Sequence, residues 1–164
     1  MRSVYNFVVT PKGERYNNTK KLDGGELILN TEIFNHQYVN REAEVISTPI
    51  IGDTDIKPGD TVVVHHNVFR RWHNVKGVEK NSRAYFDEDT YFINDDQIFL
   101  YKRKDKWIAP KGYCFVIPLK ATDQFNTESE KPLQGIVKYS DGTVEVGDLV
   151  GYRPSSEYEF IVDG

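Results

Sequence analysis

The chain has 164 residues, 38% of them hydrophobic and 13% aromatic, and its 21 Lys and Arg against 25 Asp and Glu leave a net charge of −4. This supplies a core for one domain or two small ones, and no apolar run approaches the roughly 20 residues of a membrane-spanning helix. Up to Arg103 there are 14 basic and 15 acidic residues, and beyond it 7 and 10, so neither half has the charge of a basic nucleic-acid binder.

Aromatic residues are plentiful while Met occurs once, a composition that favours pleated strands over helices. The predicted strands, each bounded by Gly, Pro, Asn or Asp, are Val4–Thr10, Glu42–Ser47, Thr61–His66, Thr90–Ile93, Gln97–Lys102, Tyr113–Leu119, Gly135–Tyr139, Asp148–Tyr152 and Tyr158–Val162. No amphipathic helix stands out, and the expected class is all-β, built as small barrels or sandwiches. The opening Met1-Arg-Ser-Val lacks a signal peptide's apolar region, so a cytoplasmic location is expected. The single Cys114 cannot form an internal disulfide and, within Tyr113-Cys-Phe-Val-Ile, reads as a buried thiol.

Three pieces recur in order. Tyr5-Asn-Phe-Val-Val returns at Tyr113, Ala43-Glu-Val-Ile-Ser at Gly135, and Ile56-Lys-Pro-Gly-Asp-Thr-Val-Val at Val144, with separations of 108, 92 and 88 residues. Their order and shared punctuation predict an internal duplication, with a boundary in the charged connector Lys102–Trp107. The second copy stops at Gly164 before any counterpart of Thr90–Ile93 and Gln97–Lys102, so either the chain is shortened or another strand is expected to close it.

Between the first two pieces lies a polar stretch holding Lys20-Lys-Leu-Asp-Gly-Gly-Glu-Leu-Ile-Leu-Asn. An opening strand ending in Pro11, a long loop with Gly24-Gly25 before an aliphatic triplet, Glu44-Val-Ile, Ile56-Lys-Pro-Gly-Asp-Thr-Val-Val-Val and Asn94-Asp-Asp-Gln-Ile-Phe-Leu-Tyr together resemble the GroES-type co-chaperonins. These form the lids of chaperonin folding chambers. The resemblance covers about residues 1–103, with a fainter echo in 104–164, and looks like a divergent, phage-encoded relative acting in the host cytoplasm. It implies a GroES-like irregular small β-barrel followed by a second, shorter barrel-like repeat. It also implies a ring, by resemblance heptameric, that caps a 60-kDa-type chaperonin, encloses unfolded client proteins and leaves ATP to the chaperonin, with no cofactor of its own.

By the same resemblance the mobile loop is about Glu14–Tyr38, and Gly24 and Gly25 precede the chaperonin-binding triplet Leu27, Ile28 and Leu29. Glu26-Leu27-Ile28 is the alternative register, disfavoured because an acidic residue at an apolar anchor is costly. Three docked aliphatic side chains gain roughly 1.5–3 kcal/mol each, while ordering the loop costs about 1–2 kcal/mol per residue. A single loop therefore binds weakly, and a ring gains avidity.

Two readings of Leu27–Leu29 stay open at this level, a partner anchor or an ordinary core strand after a Gly-Gly turn. Phe69-Arg70-Arg71-Trp72 is a candidate roof or client contact at a hairpin. Its alternative is stacking on single-stranded nucleic acid, which the near-neutral charge disfavours, and a viral structural domain is a third reading. His65, His66 and His73 with Cys114 match no zinc spacing, and adjacent histidines on a strand point to opposite faces, so no metal site is expected. With no nucleophile elbow, zinc-protease or phosphate-loop motif, the chain is expected not to be an enzyme.

Overall fold

A computed structural model of the chain describes residues 1–17, 19–23, 25–28, 36–120, 130–156, 158, 159, 161 and 162. Those residues form two compact units, Met1–Trp107 and Ile108–Gly164. The class is all-β.

Unit 1 holds β1 (Phe7–Pro11), β2 (Thr19–Leu22), β3 (Gly25–Ile28), β4 (Glu42–Ser47), β5 (Thr61–Val64), β6 (Arg71–His73), β7 (Glu79–Asn81), β8 (Tyr85–Asp87), β9 (Thr90–Ile93), β10 (Ile98–Arg103) and β11 (Lys106–Ile108, its last residue assigned to unit 2). Seven of these make one sheet in the order β11-β10-β5-β4-β1-β9-β8. Its two ends do not meet, so among the described residues the expected barrel is an open sheet. Two hairpins, β2–β3 and β6–β7, stand as separate two-stranded sheets.

Burial follows position in the sheet. Strand β4 alternates, with Ala43, Val45 and Ser47 inside and Glu44 and Ile46 outside, the pattern of a strand with one wet face. In β1 and β5 the alternation fails, because Phe7, Val8 and Val9, and likewise Val62, Val63 and Val64, are all buried. Such continuous apolar runs mark strands covered on both faces. The connector expected at Lys102–Trp107 is instead the β10–β11 hairpin, turned by Lys104 and Asp105, both with positive φ, as a two-residue turn matched to strand twist requires. Strand β5 ends at Val64, and the following His65 and His66 stack with ring centroids 4.3 Å apart, so they do not point to opposite faces.

Unit 2 holds β12 (Cys114–Lys120), β13 (Glu130–Ser140) and β14 (Leu149–Gly151), in that order in one sheet. The triplet repeats β1-β4-β5 pair for pair. In unit 1, Val8 faces Ser47, Val9 faces Val45, Thr10 faces Glu44 and Pro11 faces Ala43, with an irregularity after Val8. In unit 2, Phe115 faces Tyr139, Val116 faces Val137, Ile117 faces Ile136 and Pro118 faces Gly135, with an irregularity after Phe115. The second pairing agrees as well, since Glu42-Val63, Ala43-Val62 and Glu44-Thr61 correspond to Gln134-Gly151, Gly135-Val150 and Ile136-Leu149. Val8 thus corresponds to Phe115 and Pro11 to Pro118, one residue away from the match drawn on Tyr5 and Tyr113. A one-residue slip turns every side chain to the other face, so the pairing and not the likeness of letters decides the correspondence.

The turns repeat too. Val45 N–H reaches Asp60 O at 2.9 Å and Gly59 N–H reaches Val45 O at 2.7 Å; Val137 N–H reaches Asp148 O at 2.9 Å and Gly147 N–H reaches Val137 O at 2.9 Å. Gly59 and Gly147 hold φ of 89° and 101°, a region that favours glycine. Cys114, expected inside, is exposed. No described strand pairs with β12 as β9 pairs with β1, and partial desolvation, then the Asp141 carboxylate, push its thiol above the ordinary cysteine value, away from the reactive thiolate.

Candidate functional site

The polar loop is rooted on unit 1 by a short ladder. Asn17 N–H donates to Tyr38 O at 2.7 Å, Asn40 N–H to Arg15 O at 2.9 Å, and Tyr16 bridges Val39. The Asn40 side-chain amide donates to Lys12 O at 3.1 Å and Glu14 O at 2.9 Å, while its oxygen accepts the Glu42 N–H at 2.9 Å. One buried asparagine therefore ties the loop's exit to its entry and to β4, satisfying backbone groups that would otherwise be orphaned.

Two side chains extend this root under the sheet. The buried Tyr16 lies beneath the Arg71 guanidinium, 5.0 Å from its ring, and its hydroxyl accepts the Arg71 N–H at 2.7 Å. Arg15 donates to Phe69 O at 3.1 Å and to Asn81 Oδ1 at 2.9 Å, pairs with Glu88 at 3.6 Å, and sits over Tyr85 and Tyr91 at 5.3 and 5.6 Å. Burial pushes the Tyr91 phenol up to about 12. Nothing local in the sequence marks Arg15 or Tyr16, because these side-chain partners lie 54 to 76 residues away in the chain.

Beyond the root, among the described residues, β2 and β3 pair only with each other, Thr19 facing Ile28, Lys20 facing Leu27, Lys21 facing Glu26 and Leu22 facing Gly25. Leu27 is 49% exposed, which an ordinary core strand does not allow. Gly24 and Leu29 lie outside the described residues, and for Ile28 only the backbone is described.

The second candidate group divides. Phe69 is fully buried, edge-on to Tyr91 with centroids 4.8 Å apart, and belongs to the core. Arg71 is engaged by Tyr16 and pairs with Glu79 at 3.4 Å. Trp72, 44% exposed, and Arg70 line an open pocket of about 550 Å³ together with Asn67, Ser82, Arg83 and Gln97. Arg70 and Arg83 make no hydrogen bond or ion pair with any described residue, and the buried Nε of Arg70 has no partner. Arg83 escapes sequence reading because it follows the β7 strand and only the fold brings it beside Trp72.

Among the described residues no three His, Cys, Asp or Glu side chains converge as a metal-ligand set, and no helix is long and apolar enough to cross a membrane. No family model, curated protein or solved structure matches the chain.

Proposed function

We propose that the protein is a co-chaperonin that assembles into a ring, caps a 60-kDa-type chaperonin chamber and binds its apical domains through Leu27, Ile28 and Leu29. The observation that carries this reading is the β2–β3 hairpin. It pairs with no other described strand, holds a half-exposed leucine away from the core, and springs from a root locked by Tyr16 and Asn40. An apolar side chain kept out of its own core on a secured stem suits capture of a groove on another protein. The chaperonin supplies ATP hydrolysis, and a phage origin with a host-cytoplasmic site of action fits the resemblance.

The test is retention on an immobilised chaperonin with ATP. The native chain is retained, and the Leu27→Ser/Ile28→Ser/Leu29→Ser triple variant is lost while its thermal unfolding stays unchanged. Equal retention of both would sink the proposal.

A second reading rests on the pocket beside Trp72. Unpaired Arg70 and Arg83 next to an exposed indole make a place where a base stacks and a phosphate is neutralised. It requires oligonucleotide binding that weakens with salt and is lost in an Arg70→Gln/Arg83→Gln variant.

A further inference from the structure

We propose that the outer edge of β14 is a docking site for an extended segment of another protein, apolar at alternate positions and ending in an arginine or lysine. The inference is independent of the co-chaperonin reading and rests on the duplication.

Unit 1 shows what the repeated triplet looks like when covered. The outer edge of β5 is paired antiparallel by β10, Leu100 facing Val63, Tyr101 facing Val62 and Lys102 facing Thr61. This strand contributes the buried Ile98 and Leu100. Its last residue, Arg103, donates from Nε to Asp60 Oδ1 at 3.0 Å and from its terminal nitrogen to Asp60 Oδ2.

In unit 2 the same triplet is present and nothing described pairs with β14 beyond β13. Asp148 O accepts from Val137 and Tyr152 N–H donates to Leu133 O at 3.0 Å. By strand alternation, Leu149 and Gly151 therefore turn their N–H and C=O to the outer edge. Leu149 is 62% exposed, and Ala109 and Val137 are the only buried hydrophobic side chains among the described residues of the unit. Among the described residues the unit has the register of a core without the strand that would complete one, and strand addition to such an edge is a general mode of recognition.

Charge selects the occupant. Asp148 stands where Asp60 stands in unit 1, accepts the Glu145 N–H at 3.2 Å as Asp60 accepts that of Lys57 at 2.8 Å, and has no described cation in the place of Arg103. Residues 108–164 carry five Lys and Arg against nine Asp and Glu. The chain's own strand-like tail, Tyr158–Val162, is a poor fit, because Glu157, Glu159 and Asp163 would meet Asp148 with like charge. The turn that precedes it, Arg153–Ser156, is also not of a hairpin type. Ser156 N–H donates to Arg153 O at 3.2 Å across Pro154 and Ser155, with Ser155 at φ 61°. Since proline fixes a negative φ, this is a type II turn, which splays hairpin strands.

The probe is a fluorescent peptide carrying the β10 sequence Ile-Phe-Leu-Tyr-Lys-Arg with soluble flanks, titrated into the full chain. Saturable binding is expected, with slowed amide exchange at Leu149 and Gly151. It should weaken at least about tenfold in Gly151→Pro, which removes an edge donor without touching the β13 ladder, and also when the peptide's arginine is replaced by glutamate. Asp148→Asn is the second variant, and Val137 amide protection reports whether unit 2 remains folded in each. Absence of saturable binding to the folded native chain overturns the proposal, as does binding unaffected by both variants or protection confined to unit 1. An oligomer of the chain that Gly151→Pro dissolves would assign the edge to a second copy and overturn it equally.

Discussion

Arg103 holds Asp60 by two hydrogen bonds, Nε to Oδ1 at 3.0 Å and a terminal nitrogen to Oδ2, across the seam between the end of β10 and the turn before β5. Burial raises the Asp60 pKa, but the Arg103 hydrogen bond, then the Lys57 N–H and the charge of Arg103, outweigh it and hold the carboxyl below its ordinary value. The pair fixes the turn whose copy in unit 2 has no such clamp among the described residues.

Arg103→Leu is expected to lower the unfolding free energy at neutral pH by about 3 kcal/mol, because it leaves the buried Asp60 carboxylate uncompensated. Asp60 has its folded-state pKa depressed, so its contribution is complete above the unfolded value of about 3.9 and is lost as pH falls through the folded value. Urea unfolding of the native and variant chains should therefore show a gap that narrows in acid. A gap unchanged below that range contradicts the assignment.

Tyr16→Phe removes the acceptor of the Arg71 N–H while keeping the ring under the guanidinium. A loss of about 1–2 kcal/mol is expected, with faster hydrogen exchange at the Arg71 amide and at Asn17. Unchanged exchange at both would show that the loop root does not depend on this contact.

Phe69 and Trp72 are three residues apart and should behave oppositely. Phe69→Ala empties a fully buried site against Tyr91 and should cost about 3–5 kcal/mol, whereas Trp72→Ala, at the mouth of an open pocket, should cost under about 1 kcal/mol. Thermal denaturation of the two variants checks the order.

Gly59→Ala and Gly147→Ala place a side chain at φ of 89° and 101° in the two copies of one turn. Neither added Cβ meets a neighbour within 4 Å, so the cost is backbone strain of about 1–2 kcal/mol in each. The first should lower the unfolding midpoint of unit 1 and the second that of unit 2, read by amide exchange at Val45 and Val137. Equal loss of protection at both amides in each variant would show the units to unfold together.

The all-β class, most strand positions and the order of the repeated pieces were legible in the sequence, because they rest on composition, turn punctuation and alternation, which act over a few neighbours. The aliphatic centre of the polar loop was legible too, since Leu27 between glycines and asparagines is anomalous in its own surroundings. The exact pairing of β2 with β3 and the β7 strand were not, because strands this short are set by cross-strand register and not by a local alternation. Nor was the fate of Phe69, which reads like its neighbour Trp72 until Tyr91 arrives from a distant strand. Only the tertiary structure set Pro11 against Pro118 and not Tyr5 against Tyr113, brought Arg83 beside Arg70, and placed Asp148 where Asp60 stands. Register and burial are decided by contacts between segments far apart in the chain, and no local pattern of letters carries them.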